Sequence, residues 1–134
     1  MRERIVGDDS VYIDFHCHIL PQMDDGSVSV EMSLEMLRRE MEQGVDRVVL
    51  TPHFYRHRED QHSFLARRQR AYDKLRRAMD ADGGSFPELR LGAEVAMTKQ
   101  LRFEDLSALC IQGTNTLLLV YCIFKRAAQL LNKP

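Results

Sequence analysis

Charge of one sign is not in excess in this sequence: Lys and Arg number 19, Asp and Glu 20, for a formal net charge of -1. Proteins that hold nucleic acid through its phosphates carry a strongly positive footprint, so no nucleic-acid partner is expected. Long hydrophobic runs are missing as well. The longest, Leu117 to Phe124, falls far short of the roughly 20 residues that a membrane-spanning helix needs. No N-terminal stretch joins a basic start, an apolar core and a small-residue cleavage site. The expectation is a cytoplasmic protein with no membrane span. Cysteine is scarce: Cys17, Cys110 and Cys122 are odd in number and lack framework spacing, which argues against a disulfide scaffold. With no CxxC pair, a structural zinc site of the usual kind is not expected either. Internal repeats, low-complexity tracts and linkers are absent. What remains is ordinary for one soluble globular domain: 134 residues, 44% hydrophobic and 29% charged,.

Within that frame the chain alternates strand-like and helix-like patterns. Residues 11–15 (VYIDF) are short and β-prone,, and turn residues follow at Pro21 and Asp24-Asp25-Gly26. Ser29 suits a helix N-cap, with Glu31 in the first turn where a carboxylate meets the helix dipole. Val30, Leu34, Leu37 and Met41 then recur at helical spacing,. Gly44 sits where a helix end favours a left-handed residue. Residues 45–50 (VDRVVL) read as a second strand and 63–81 as a second helix, with apolar Leu65, Tyr72, Leu75 and Met79, ended by Gly83-Gly84. Residues 89–95 read as a third strand, 101–109 as a short helix and 116–123 as a fourth strand. Strands alternating with helices imply an α/β fold with a parallel sheet, because parallel neighbours need a crossover.

Histidine is the informative residue. Only five occur, and His16-Cys17-His18 holds two of them. On an extended segment an HxH pair puts both rings on one side. His53 follows the second strand in Thr51-Pro52-His53, Glu94 lies near the end of the third, and Asp24-Asp25 occupies the loop behind the first. Metal-ligand types thus recur at the C-terminal ends of three successive strands, which share one face in a parallel β/α fold. Imidazoles with carboxylates suit divalent Zn, Mn or Fe. Taken singly, each feature has an ordinary explanation: an incidental HxH, a plain turn, a loop histidine, a strand-end carboxylate in a surface ion pair. Their coincidence at one end of consecutive strands is harder to explain that way.

The segments Ile13 to Pro21 (IDFHCHILP), Asp24-Asp25-Gly26, Thr51-Pro52-His53 and Gly92-Ala93-Glu94 resemble the PHP superfamily of polymerase and histidinol phosphatase domains. Within it they are similar to the manganese-dependent bacterial tyrosine phosphatases of the CpsB/YwqE type, linked to capsule and exopolysaccharide synthesis. That resemblance implies a partial (β/α) barrel of the PHP, distorted TIM-like kind. It makes His16, His18, Asp25, His53 and Glu94 metal ligands, Glu94 as a bridge, and disfavours Asp24. It also implies manganese, a phosphotyrosine protein as substrate and a bacterial tyrosine kinase as partner. It runs over residues 11–119, with a divergent tail from 120 to 134; the later histidine and closing Asp-x-His motif of the family have no counterpart, since no histidine follows His62. The expectation is one domain over 1–134, shortened relative to its family.

A cysteine-phosphatase reading of Cys17 or Cys110 fails, because the arginine needed six residues on is replaced by Met23 or Thr116. Arg56 and Arg58 follow His53 in one loop and are candidates to grip a substrate phosphate bidentately. The other basic residues, from Arg67 to Arg77, read as a solvated helix face. The apolar run at 117–124 reads as a buried parallel strand. If it is the last strand, its unpaired edge points to a homo-oligomer. The leading expectation is a metal-dependent phosphoesterase. The rivals are a catalytically incomplete remnant that associates or binds metal, and another PHP phosphatase such as one acting on histidinol phosphate.

Overall fold

The computed structural model describes residues 9–121. Its strands all pair in parallel. β1 (Ile13–Cys17) and β4 (Glu88–Leu91) flank β2 (Arg47–Leu50); β3 (His53–Phe54) and β6 (Leu118–Val120) flank β5 (Glu94–Ala96). Helices α1 (Val30–Glu42) and α2 (Gln61–Asp82) pack against one another. The described residues thus form a mixed α/β fold of two three-stranded parallel sheets.

The third expected strand is broken in two, into β4 and β5, and the second is followed past Thr51-Pro52 by β3, which was not expected; the two interruptions fall at matching places. Leu50 pairs with Leu91 before the break and His53 with Glu94 after it, in an unchanged register. The carbonyls of Leu50 and Pro52 accept from the N–H groups of Gly92 (2.8 Å) and Glu94 (2.9 Å). The ladder bond between these two would come from residue 52, and proline has no N–H to give. Gly92 instead receives Arg68 Nη1 of α2 on its carbonyl at 2.7 Å. Gly92 also lies where a Cβ would press on Val49 at 3.2 Å. One proline therefore separates the sheets without shifting the strands, and a helix arginine fills the missing donor.

Ser29 caps α1, its side chain accepting from the Met32 N–H at 3.1 Å. The helix turns Ser33 and Leu37 into the interior, whereas Met41, expected on that face, stays 40% exposed in the last turn. Asp60 caps α2 by accepting from the Ser63 N–H at 2.7 Å, so that helix starts ahead of residue 63; left-handed Gly83 (φ 71) ends it. Phe64, not singled out by spacing, is fully buried against Phe54 with ring centroids 5.0 Å apart. With Leu37, Leu75, Val48, Leu50 and Val95 these rings form the core between the helices and the strands.

Two further expectations are corrected. Residues 101–109 form no single helix but two 3-10 turns, Lys99–Phe103 and Ser107–Leu109. Glu104 is extended between them, and Asp105 draws the Ser107 N–H onto its own carboxylate at 2.9 Å, a local bond that competes with helix. The fourth strand is Leu118–Val120, an edge strand with Leu119 46% exposed rather than a buried one. The remainder of the 117–124 run, from Cys122, and the tail lie outside the described residues.

Arg68→Ala should cost about 1–3 kcal/mol by leaving the Gly92 carbonyl without its donor, read from denaturant unfolding. Pro52→Ala in that background should recover part of the loss by restoring an N–H. A loss that Pro52→Ala does not reduce would contradict this account of the break.

Candidate metal centre

The junction between the two sheets brings three chain paths side by side: the end of β1, and the starts of β3 and β5. A register irregularity between Asp14 and Cys17 interrupts the pairing of β1 with β2, a common device for re-aiming side chains beside functional sites. Asp14 Oδ1 holds the backbone there, accepting from the His16 N–H at 3.0 Å. His16 and His18 leave the same side of the strand, and their Nε2 atoms come within 3.2 Å of one another. His16 lies within β1 rather than beyond it. Cys17 turns away and its Sγ donates to the Val49 carbonyl at 3.3 Å. Burial, with Asp14 adding to it, pushes the thiol up to about 12. Cys17 is inert.

Beyond His18 the chain makes a compact turn. The Ser27 N–H donates to the His18 carbonyl and the Gln22 N–H to that of Ser27, both at 2.9 Å, with Gln22 left-handed (φ 57). Gly26 packs so closely that a Cβ would overlap the His18 carbonyl oxygen and Cβ. From α1, buried Ser33 donates to the Ile19 carbonyl and stands 2.7 Å from the Ser27 hydroxyl.

Asp24 is the hub of this turn. Its Oδ1 accepts from the Gly26 N–H and its Oδ2 from the His53 N–H, each at 3.0 Å, with His18 Nδ1 also 3.0 Å from Oδ2. Burial alone would raise its pKa, but the bonds from His53, Gly26 and His18 outweigh burial and hold the carboxyl below the usual aspartate value. An ionised carboxylate only accepts, so His18 Nδ1 carries the proton and Nε2 keeps its lone pair for a ligand, the usual arrangement behind metal-bound imidazoles. Asp25 is 83% exposed at its side chain, with Oδ1 3.4 Å from His53 Nε2.

Glu94 lies at the centre, its side chain 8% exposed. Three ring nitrogens converge on its Oε2: His18 Nε2 at 3.0 Å, His53 Nδ1 at 3.1 Å and His16 Nε2 at 3.2 Å. None is aligned to donate, and the oxygen is buried without a hydrogen bond. An anionic oxygen withdrawn from water needs compensation, and a divalent cation shared by these lone pairs would supply it. Among the described residues two groups of side chains have ligand atoms close enough to hold an ion, His16 with His18 and Glu94, and His18 with Asp24, Asp25 and His53. The structure thus brings His16, His18, Asp25, His53 and Glu94 together.

A cavity of about 360 Å³ opens beside this cluster, lined by Met23, Asp25, His53, Tyr55, Arg58 and Arg67 among others. Tyr55 stacks on His53 with centroids 5.4 Å apart, and the Arg58 guanidinium lies 4.5 Å over the Tyr55 ring. Arg56, its expected companion, does not line the cavity and pairs with Glu104, whose carboxylate raises the arginine's pKa. Another cavity, of about 540 Å³, lies near Asp14 and Glu40, and among the described residues its lining includes no histidine or arginine. It is larger but lacks the donor chemistry. The sequence alone did not indicate the roles of Asp24, Tyr55 or Arg67, whose partners are distant in the chain.

The family profile described as capsular polysaccharide synthesis, CpsB/CapC, matches residues 12–133. The chain belongs to the CpsB/CapC family. A 41-residue stretch, 31% of the chain and 16% of the relative, is 51% identical to tyrosine-protein phosphatase YwqE of Bacillus subtilis (strain 168). In three dimensions the chain is similar to a solved structure from a study of YwqE from Bacillus subtilis and CpsB from Streptococcus pneumoniae, described there as metal-dependent tyrosine phosphatases. The TM-score is 0.68 at 25% identity, covering 82% of this chain. The chain spans less than half the length of that relative, 44%. No helix among the described residues is long and apolar enough to cross a membrane.

Gly26→Ala should force His18 and the turn apart. A cost of about 1–3 kcal/mol is expected, the usual range for overpacking a filled site, measured by denaturant unfolding. An alanine tolerated without loss would show that the turn does not brace His18.

Proposed function

We propose that this chain carries the metal site of a protein-tyrosine phosphatase that hydrolyses phosphotyrosine in the regulation of capsule or exopolysaccharide synthesis. The supporting observation is the buried Glu94 oxygen with three imidazole nitrogens at 3.0–3.2 Å, in a member of the CpsB/CapC family. His16, His18 and Glu94 would hold one ion, and Asp25 and His53 would contribute to holding a second. Such ions supply an activated water and neutralise charge on the transferred phosphoryl group. Manganese is the ion we assign on family grounds; the nitrogen and oxygen donors also suit zinc or iron.

The protein's own part is positioning. Asp24 keeps the His18 Nδ1 proton, so Nε2 faces the site. No carboxylate pairs with Arg58 among the described residues, and its guanidinium, steadied on Tyr55, can hold phosphate oxygens bidentately. Arg56, already neutralised by Glu104, contributes less. The Cys17 thiol, turned to the Val49 carbonyl and raised in pKa by burial, is poorly suited to act as a nucleophile. On this reading the two sheets are part of a distorted β/α barrel. The substrate is a phosphotyrosine protein such as a bacterial tyrosine kinase, and the chain works as a homo-oligomer, a reading supported by β6 standing at the edge of its sheet among the described residues,.

The test is phosphate release from a phosphotyrosyl peptide, with manganese and with chelator. Wild type should turn over only with metal, His53→Ala should not turn over, and Arg58→Ala should show a raised KM. Chelator-resistant turnover, or full activity in His53→Ala, would contradict the proposal.

A further inference from the structure

Arg67 is committed to the turn that carries Asp24 and Asp25. From the first half of α2 its Nη1 donates to the Met23 carbonyl at 2.8 Å and touches the Met23 sulfur at 3.6 Å. The other side of the guanidinium meets both oxygens of Glu59, with Nε 3.3 Å from Oε2 and Nη2 on Oε1. Glu59 directly precedes the Asp60 cap of α2, and its N–H donates to the Tyr55 carbonyl at 3.2 Å. Met23, 8% exposed, is the residue immediately before Asp24.

We infer that Arg67 is a positioning residue for metal binding: pinned by Glu59, it locks the Met23 carbonyl and so sets the Asp24-Asp25 turn against His18 and His53. This rests on the metal-site reading above. The chain of contacts is continuous. Arg67 holds Met23, Asp24 follows it, and Asp24 holds both the His18 ring and the His53 backbone. Arg67 lines the cavity as Arg58 does, but its charge is already met by Glu59 and its planar fork is already occupied. It therefore acts on the ligands and not on a substrate anion. A lysine at 67 can reach one partner but cannot reproduce the two-sided fork.

The experiment is calorimetric titration of the full chain with manganese alone, backed by kinetics. Arg67→Ala should raise the manganese dissociation constant about tenfold, as loss of outer-shell support commonly does. Arg67→Lys should fall between it and wild type. Glu59→Gln should shift affinity in the same direction, and it carries the test should Arg67→Ala fail to fold. Arg76→Ala, which breaks an exposed pair with Asp80 on the same helix, should bind as wild type. In turnover, excess manganese should restore kcat in Arg67→Ala with KM little changed. Unchanged manganese affinity in Arg67→Ala and Glu59→Gln would overturn the inference while leaving the metal site standing. A raised KM that excess metal does not correct would also overturn it, by making Arg67 a substrate contact. A wild-type chain that takes up no manganese would overturn the metal site and the inference together.

Discussion

A single buried oxygen organises this structure. Glu94 Oε2 is withdrawn from water and faced by nitrogens of His16, His18 and His53 within 3.2 Å. Breaking a buried charge's compensation is strongly destabilising, so the surrounding structure has to keep positive charge close to that atom. Imidazole nitrogens presenting lone pairs cannot satisfy it; a shared cation can. The Asp24 turn and its braces from α1 and α2 hold the imidazoles in place around that need.

The same need explains the position of the sheet break. His53 and Glu94 are paired residues on neighbouring parallel strands, so their side chains emerge side by side on one face. Pro52 and Gly92 lie just before them. Proline opens the ladder there without changing register, and Arg68 closes the gap from α2. The bulge in β1 performs a similar service for His16 on the adjacent path. Backbone irregularity is thus concentrated where the ligands leave the strands, and regular pairing resumes on either side.

Much of this was legible in the sequence because it rests on local pattern. The HxH spacing placed His16 and His18 on one side, and Ser29 and Gly83 marked helix ends that the structure retains. His53 and Glu94 were visible as ligand types after strand-like runs, and the shared family motifs joined them into one site. What was not legible depends on partners far apart in the chain. Asp24 looks like an ordinary turn residue until its carboxylate meets the His53 N–H, 29 positions on. Arg56 and Arg58 look equivalent until Glu104 claims the first. The run at 101–109 has helical composition, but Asp105 bonds its own downstream backbone and breaks it in two. Periodicity gives the face of an element; it does not reveal which side chain from elsewhere will occupy its polar groups.

The most direct test of the central claim is manganese binding by wild type and Glu94→Gln, compared by calorimetry. Glutamine keeps the shape of the side chain and removes its anionic charge. If the buried oxygen anchors the site, wild type binds manganese saturably and Glu94→Gln loses that binding while remaining folded. If Glu94→Gln binds manganese as wild type does, the three imidazoles do not gather around a metal-bridging carboxylate and the account is wrong at its centre.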